Sequence, residues 1–133
     1  MTREIVVSVD GMGGDNAPQS VIDGLAIAHI RHPRAKFLLH GDHARLQSIL
    51  LTRPALKNAT QIVHCDDVVG MDDKPSQALR RGRNTSMWRA IDSVRNKEAQ
   101  VVVSAGNTGA LMAMAKVQLR TVPGLSRPAI AAI

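Results

Sequence analysis

Two apolar runs rich in β-branched residues, Ile5 to Val9 and Val101 to Val103, each break abruptly into a glycine-rich segment. The first becomes DGMGGDN over Asp10 to Asn16, the second SAGNTG over Ser104 to Gly109, and a helical pattern follows each. A buried strand that ends on glycines and re-emerges as a helix is a βα junction. Two such junctions in one short chain demand strands running the same way, because parallel strands must be joined by crossovers that are usually helical.

The intervening sequence has the same grammar. Pro18 suits a first helical turn, and Val21, Ile22, Leu25 and Ala28, with Ile27 nearby, give an apolar face that predicts a helix over Pro18 to Arg31. KFLLH (Lys36 to His40) reads as a second strand closed by Gly41. Asp42 can then cap a helix carrying Leu46, Ile49 and Leu50 on one side. Gln61 to His64 predicts a third strand. The stretch from Asp66 to Met87 has no helical or strand periodicity, until Asn84 or Thr85 caps a helix with Met87, Ile91 and Val94 on one stripe. After Val101 to Val103 comes an Ala- and Met-rich helix ending near Arg120, a Pro123-Gly124 turn, and Ala129 to Ile133 as a further strand. The alternation predicts an α/β fold: a doubly wound, mostly parallel sheet with helices on both faces. There is no internal repeat and no low-complexity linker. The apolar finish AIAAI predicts that residues 1–133 are a truncated part of a longer α/β domain, with more protein following.

Composition narrows the function. With 44% hydrophobic residues but one Trp, one Phe and no Tyr, the core is aliphatic, as buried parallel sheets require. The same shortage removes the aromatic platforms on which single-strand nucleic-acid binders depend. The net charge of +6 favours acidic partners, yet only Arg80, Arg81 and Arg83 cluster, so no nucleic-acid partner is expected. One cysteine, Cys65, excludes a disulfide framework and points to the cytoplasm. The start shows no signal peptide, and no run has the length of a spanning helix. His29, His32, His40, His43 and His64 lack zinc-site spacing and read as surface or packing residues; no metal and no cofactor are expected. Cys65 reads as a buried structural thiol, and Asp66, Asp67, Asp72 and Asp73 as a solvated loop.

Ligands of open α/β sheets sit beyond the carboxyl ends of the strands, where both glycine-rich segments fall. There, helix-start N–H groups point outward, the helix dipole favours negative charge and glycine permits close approach. Ser104, Asn107 and Thr108 add hydroxyl and amide donors. The competing reading is that the glycines only turn the chain and the polar residues only cap a helix. A dinucleotide fingerprint fails, because Asn16 stands where the third glycine of G-x-G-x-x-G belongs. Asp10 and Asp15 make the first loop acidic; one of them could orient a basic group, accept a proton or meet a metal-bridged phosphate, and Asp10 could equally serve to order the loop.

The phrases VDGMGGDNAP, MDDKPSQALRRGRNTSM and VSAGNTGALMA, in this order and spacing, closely resemble the bacterial phosphate acyltransferases of phospholipid synthesis. The resemblance spans essentially the whole chain. It implies transfer of an acyl group from acyl-acyl-carrier protein to inorganic phosphate, the first step toward phosphatidic acid. It also implies a homodimer whose fold resembles phosphate acetyltransferases and isocitrate-type dehydrogenases, cytosolic or loosely held at the inner face of the membrane, there beside a glycerol-3-phosphate acyltransferase. Carried onto this sequence, the phosphate site comprises Gly13, Gly14, Asn16, Ser104, Gly106, Thr108 and Gly109, with Asp10, Asp15 and Asn107 as catalytic candidates. Phosphate held in line attacks the thioester directly, without a covalent enzyme intermediate. Arg80, Arg81 and Arg83, with Lys74, become a docking surface for the acidic carrier protein. The alternatives are an acetyltransferase-like enzyme using acyl-coenzyme A and a non-catalytic phosphate- or nucleotide-binding module.

Overall fold

The computed structural model describes residues 4–132. Four strands, β1 (Val6–Asp10), β2 (Lys36–Gly41), β3 (Thr60–His64) and β4 (Val101–Val103), form one sheet in the order β3-β2-β1-β4. Every pairing is parallel: Val9 lies opposite Leu39 on one side and Val103 on the other, and Leu39 lies opposite Ile62. The six α-helices are α1 (Gln19–Arg31), α2 (His43–Leu50), α3 (Pro54–Asn58), α4 (Pro75–Arg81), α5 (Ser86–Arg95) and α6 (Thr108–Leu119).

The side-chain period of two along each strand sorts the core into two layers. Val9, Phe37 and Leu39 meet Ile22 and Leu25 of α1, Leu46 and Leu50 of α2 and Leu56 of α3. On the opposite face, Val102 packs with Met87 and Ile91 of α5, Ala110 and Met114 of α6 and Ala78 of α4. The sheet is therefore doubly wound, and its winding direction reverses between β1 and β4. Beyond β1 the α1 layer thins: an open apolar groove of about 830 Å³, walled by Val7, Val9, Val21, Leu25, Phe37 and Val103, runs between α1 and the sheet. No described helix is long and apolar enough to cross a membrane.

Three helix starts follow the sequence reading: Asp42 accepts the Ala44 N–H at 3.2 Å, Thr85 that of Trp88 at 3.2 Å, and Asn107 that of Ala110 at 3.1 Å. Two short helices, α3 and α4, escape a periodicity reading. Each is too brief to show an amphipathic repeat, and its one sequence signal is a proline in the first turn. The predicted strand over Ala129 to Ile133 is corrected. Residues 129–132 are irregular, Ile130 is exposed, and Ile133 lies outside the described residues. A strand exists by pairing, and this segment joins none of the four described strands.

One buried polar group belongs to the frame. The His40 ring, fully buried, sets Nδ1 3.1 Å from the Val9 carbonyl and Nε2 2.9 Å from Ser93 Oγ. The carbonyl can only accept, so Nδ1 carries the proton and Nε2 receives the serine hydroxyl. Burial holds the imidazole below its ordinary pKa; the Val9 carbonyl works against that shift and the Arg89 charge adds to it. The unfolded chain then binds the proton more readily than the folded one. Stability is complete above about pH 6.5 and declines as pH falls toward the folded-state pKa, by at most about 1.4 kcal/mol per pH unit for this one group. Urea unfolding at pH 7.5 and 5.5 should show that decline, and His40→Gln should remove the share of it that the imidazole carries.

Candidate functional site

The winding reversal between β1 and β4 opens a crevice at their carboxyl ends, the position where α/β sheets bind ligands. Both glycine-rich junctions enter it. Asp10 ends β1 and is 2% exposed. Its Oδ1 accepts the Ser86 hydroxyl at 2.6 Å and the Met12 N–H at 3.1 Å; its Oδ2 accepts the Ser104 hydroxyl at 2.9 Å. No described cation forms an ion pair with it. Ser104 Oγ in turn accepts the Gly106 N–H at 3.1 Å, so a chain of hydrogen bonds passes from one junction to the other through a carboxylate.

The glycines allow this closeness. A Cβ on Gly13 would stand 2.6 Å from Asp10 Oδ2 and 2.9 Å from the Gly106 nitrogen. Gly14 adopts φ +105° and packs against the Ala105 carbonyl. Gly106 is buried in the same contact, facing the α-carbon of Gly13.

Asn107 caps α6 with its side-chain oxygen and turns its amide nitrogen toward three carbonyls: Gly70 at 3.1 Å, Met71 at 3.2 Å and Asp73 at 2.8 Å. Two amide hydrogens are thus shared among three acceptors. The Asp73 carboxylate closes the same loop by accepting the Gly70 N–H at 2.8 Å. The Asn107 amide therefore fastens the 70–73 loop to the second junction, with both of its protons already donated.

Backbone donors remain. Thr108 and Gly109 open α6, and among the described residues their N–H groups meet no acceptor; nor do those of Gly14 and Asp15. Asp15 and Asn16 stand exposed at the rim. Pro75, first residue of α4, abuts Gly109, and Arg80 and Arg81 lie about 7.5 and 9 Å farther along that helix at 1.5 Å per residue. Arg80, Arg81 and Arg83 are exposed, and Arg83 lies 5.9 Å over the Trp88 ring.

The other candidates stand apart from this cluster. Cys65 is buried, and burial pushes its thiol up to about 11, so it stays protonated at neutral pH. His64 bonds Asp66 at 2.9 Å and receives the His43 N–H at 3.1 Å on the surface. No group of metal-ligating side chains converges among the described residues. Sequence reasoning missed Ser86, whose place after a helix cap looks like ordinary first-turn filling, and the 70–73 carbonyls, which no side-chain pattern announces.

The model of a family described as fatty acid synthesis protein matches residues 5–133. Two relatives named phosphate acyltransferase, from Azorhizobium caulinodans and Xanthobacter autotrophicus, are each 60% identical over 134 residues and match 100% of this chain. A third of the same name, from Parvibaculum lavamentivorans, is 55% identical over 134 residues. The chain spans 38% of the length of the first two and 37% of the third.

Gly13→Ala should drive a methyl group into the contact between the junctions. A loss of about 1–3 kcal/mol in chemical unfolding is expected from such overpacking. Gly24→Ala, where a Cβ meets nothing within 4 Å, should show no such loss.

Proposed function

The chain belongs to the fatty acid synthesis protein family, and from that premise we propose that it forms the N-terminal part of the catalytic domain of an acyltransferase. In this reading an acyl group passes from acyl-acyl-carrier protein to inorganic phosphate, feeding phosphatidic acid synthesis. The relatives' shared name supports the acyl transfer. The observation that carries the site is the contact of two βα junctions whose N–H groups at Gly14, Asp15, Thr108 and Gly109 meet no acceptor among the described residues.

Inorganic phosphate needs no strong base, because it is anionic at neutral pH. One of its oxygens adds to the thioester carbon, and collapse of the tetrahedral intermediate breaks the carbon–sulfur bond and releases the carrier thiolate, which takes a proton from solvent. The enzyme's tasks are to hold phosphate in line and to stabilise the oxyanion. Gly13, Gly14, Asn16, Ser104, Gly106, Thr108 and Gly109 shape the phosphate cradle. Asp15, exposed at its rim, orients the phosphate or takes its remaining proton. Because both Asn107 amide protons are donated within the protein and the buried Asp10 carboxylate already accepts three donors, both position the loops, and backbone N–H groups supply the oxyanion donors.

The exposed arginines suit the acidic carrier protein, whose encounter they would steer. The same reading takes the protein as a cytoplasmic homodimer, with peripheral association at the membrane where acyl phosphate is consumed.

Two measurements test the proposal. Inorganic phosphate should move the amide resonances of Gly14, Asp15, Thr108 and Gly109 saturably; shifts elsewhere, or none, would remove the site. With these 133 residues carried in a polypeptide of the relatives' full length, acyl phosphate trapped as a hydroxamate should form from the carrier-protein thioester. Faster product from acyl-coenzyme A would reassign the donor. In that assay, reversing Arg80 and Arg81 to Glu should raise KM for the carrier substrate and flatten its salt dependence, leaving kcat near wild type.

A further inference from the structure

We propose that Ser86 is a positioning residue of the anion site, acting through Asp10 to hold the two glycine-rich junctions against each other. The proposal rests on the reading of those junctions as a phosphate site. Ser86 is the first residue of α5. It is fully buried. The hydroxyl is not needed for capping, since the Thr85 side chain already accepts the Trp88 N–H. Nor is it needed locally: its partner is a carboxylate 76 residues earlier in the chain, reached at 2.6 Å.

That bond fixes one end of a relay. Asp10 Oδ1 receives Ser86 Oγ and, more weakly, the Met12 N–H at 3.1 Å, while Oδ2 faces Ser104. Without the serine, the carboxylate loses its shortest donor and can turn about its side-chain torsion. Ser104 then loses a fixed acceptor and ceases to present a lone pair to the Gly106 N–H. Gly13, lying between Asp10, Ser104 and Gly106, moves with them. Ser86 is itself held in place, because its own N–H donates to the Asp67 carbonyl at 3.0 Å. The middle sequence phrase thus reaches the site from below, without touching a ligand.

Hydrogen bonds to charged groups are worth enough that losing this one should weaken phosphate binding about ten-fold or more. The test compares Ser86→Ala with Ser93→Ala, a buried serine of the same helix whose hydroxyl meets His40 instead. In ligand-free spectra, Ser86→Ala should move the amide resonances of Met12, Gly13 and Gly106; Ser93→Ala should leave them in place. The phosphate Kd should rise about ten-fold in the first variant and stay within about two-fold of wild type in the second, both measured where circular dichroism shows native helix. Ser86→Cys keeps the volume with a weaker donor and stands in if the alanine variant does not fold, with the same direction and a smaller effect. An unchanged Kd together with unmoved Met12 and Gly106 resonances would overturn the proposal. If the wild-type protein shows no phosphate-dependent shifts, the phosphate reading fails, and the ligand-free spectra still decide whether Ser86 positions the junctions.

Discussion

The carboxylate of Asp10 is the point on which this structure turns. A buried carboxylate without an ion-pair partner among the described residues costs several kcal/mol of desolvation unless hydrogen bonds replace the lost water. Three donors do so: Met12 two residues on, and from distant parts of the chain Ser86 at the start of α5 and Ser104 just after β4. Each is an obligation as much as a contact. If one donor leaves, part of the cost of burying the carboxylate returns to the fold, so the three segments are held to one meeting point. That requirement fixes the junctions more tightly than apolar packing could, because dispersion and burial are indifferent to small sliding motions and a short charge-assisted bond is not.

The sheet supplies the frame for this meeting. Central placement of β1 between β2 and β4 brings Asp10 to the one place where the winding direction changes, so that α1 leaves toward one face and α6 toward the other. Neither helix covers the strand ends. His40, bonded to the Val9 carbonyl one residue before Asp10, ties β2 and α5 to the same spot from within. Five of the buried polar residues, Ser8, Asp10, His40, Ser86 and Ser93, thereby form a seam between β1, β2 and α5. Ser8 joins it by donating to the Ala90 carbonyl at 2.6 Å. Such a seam specifies register where an all-aliphatic face would tolerate slippage.

Much of this was legible in the sequence because it is local. The strand runs, the junction glycines, the cap residues Asp42, Thr85 and Asn107 and the parallel topology all follow from patterns a few residues long. What was not legible depends on side chains meeting across long sequence separations. Asn107 reads as a polar donor for an oxyanion, but in three dimensions its amide meets the 70–73 carbonyls, a loop with no periodic signal. Asp10 reads equally well as a base or as a loop-ordering acceptor until its three donors are seen. Ser86 carries no signal at all beyond following a cap. Ala129 to Ala132 has strand-like composition, yet pairing decides strands, and composition cannot report the presence of a partner.

A buried carboxylate at the base of the proposed anion site sets the terms on which such a site could bind. An anion about 7 Å from the carboxylate would be opposed by about 2 kcal/mol at an effective dielectric near 20. The positive end of a helix such as α6 returns only about 0.3–1 kcal/mol in an exposed setting. The long-range field therefore does not favour binding. Direct hydrogen bonds to a charged ligand, at about 1.5–3 kcal/mol each, do, and two or more of the unpartnered N–H groups at Gly14, Asp15, Thr108 and Gly109 suffice to reverse the balance. Those bonds are short-ranged and directional, so they exist only while the two junctions are held to within a few tenths of an ångström. In that reading, the carboxylate that opposes the ligand electrostatically is also the group whose hydrogen bonds hold the junctions together. On the proposed reading of the junctions as a phosphate site, the chemistry favours a compact, multiply accepting oxyanion: a ligand able to take several N–H bonds at once overcomes the carboxylate's field, and one offering a single acceptor does not.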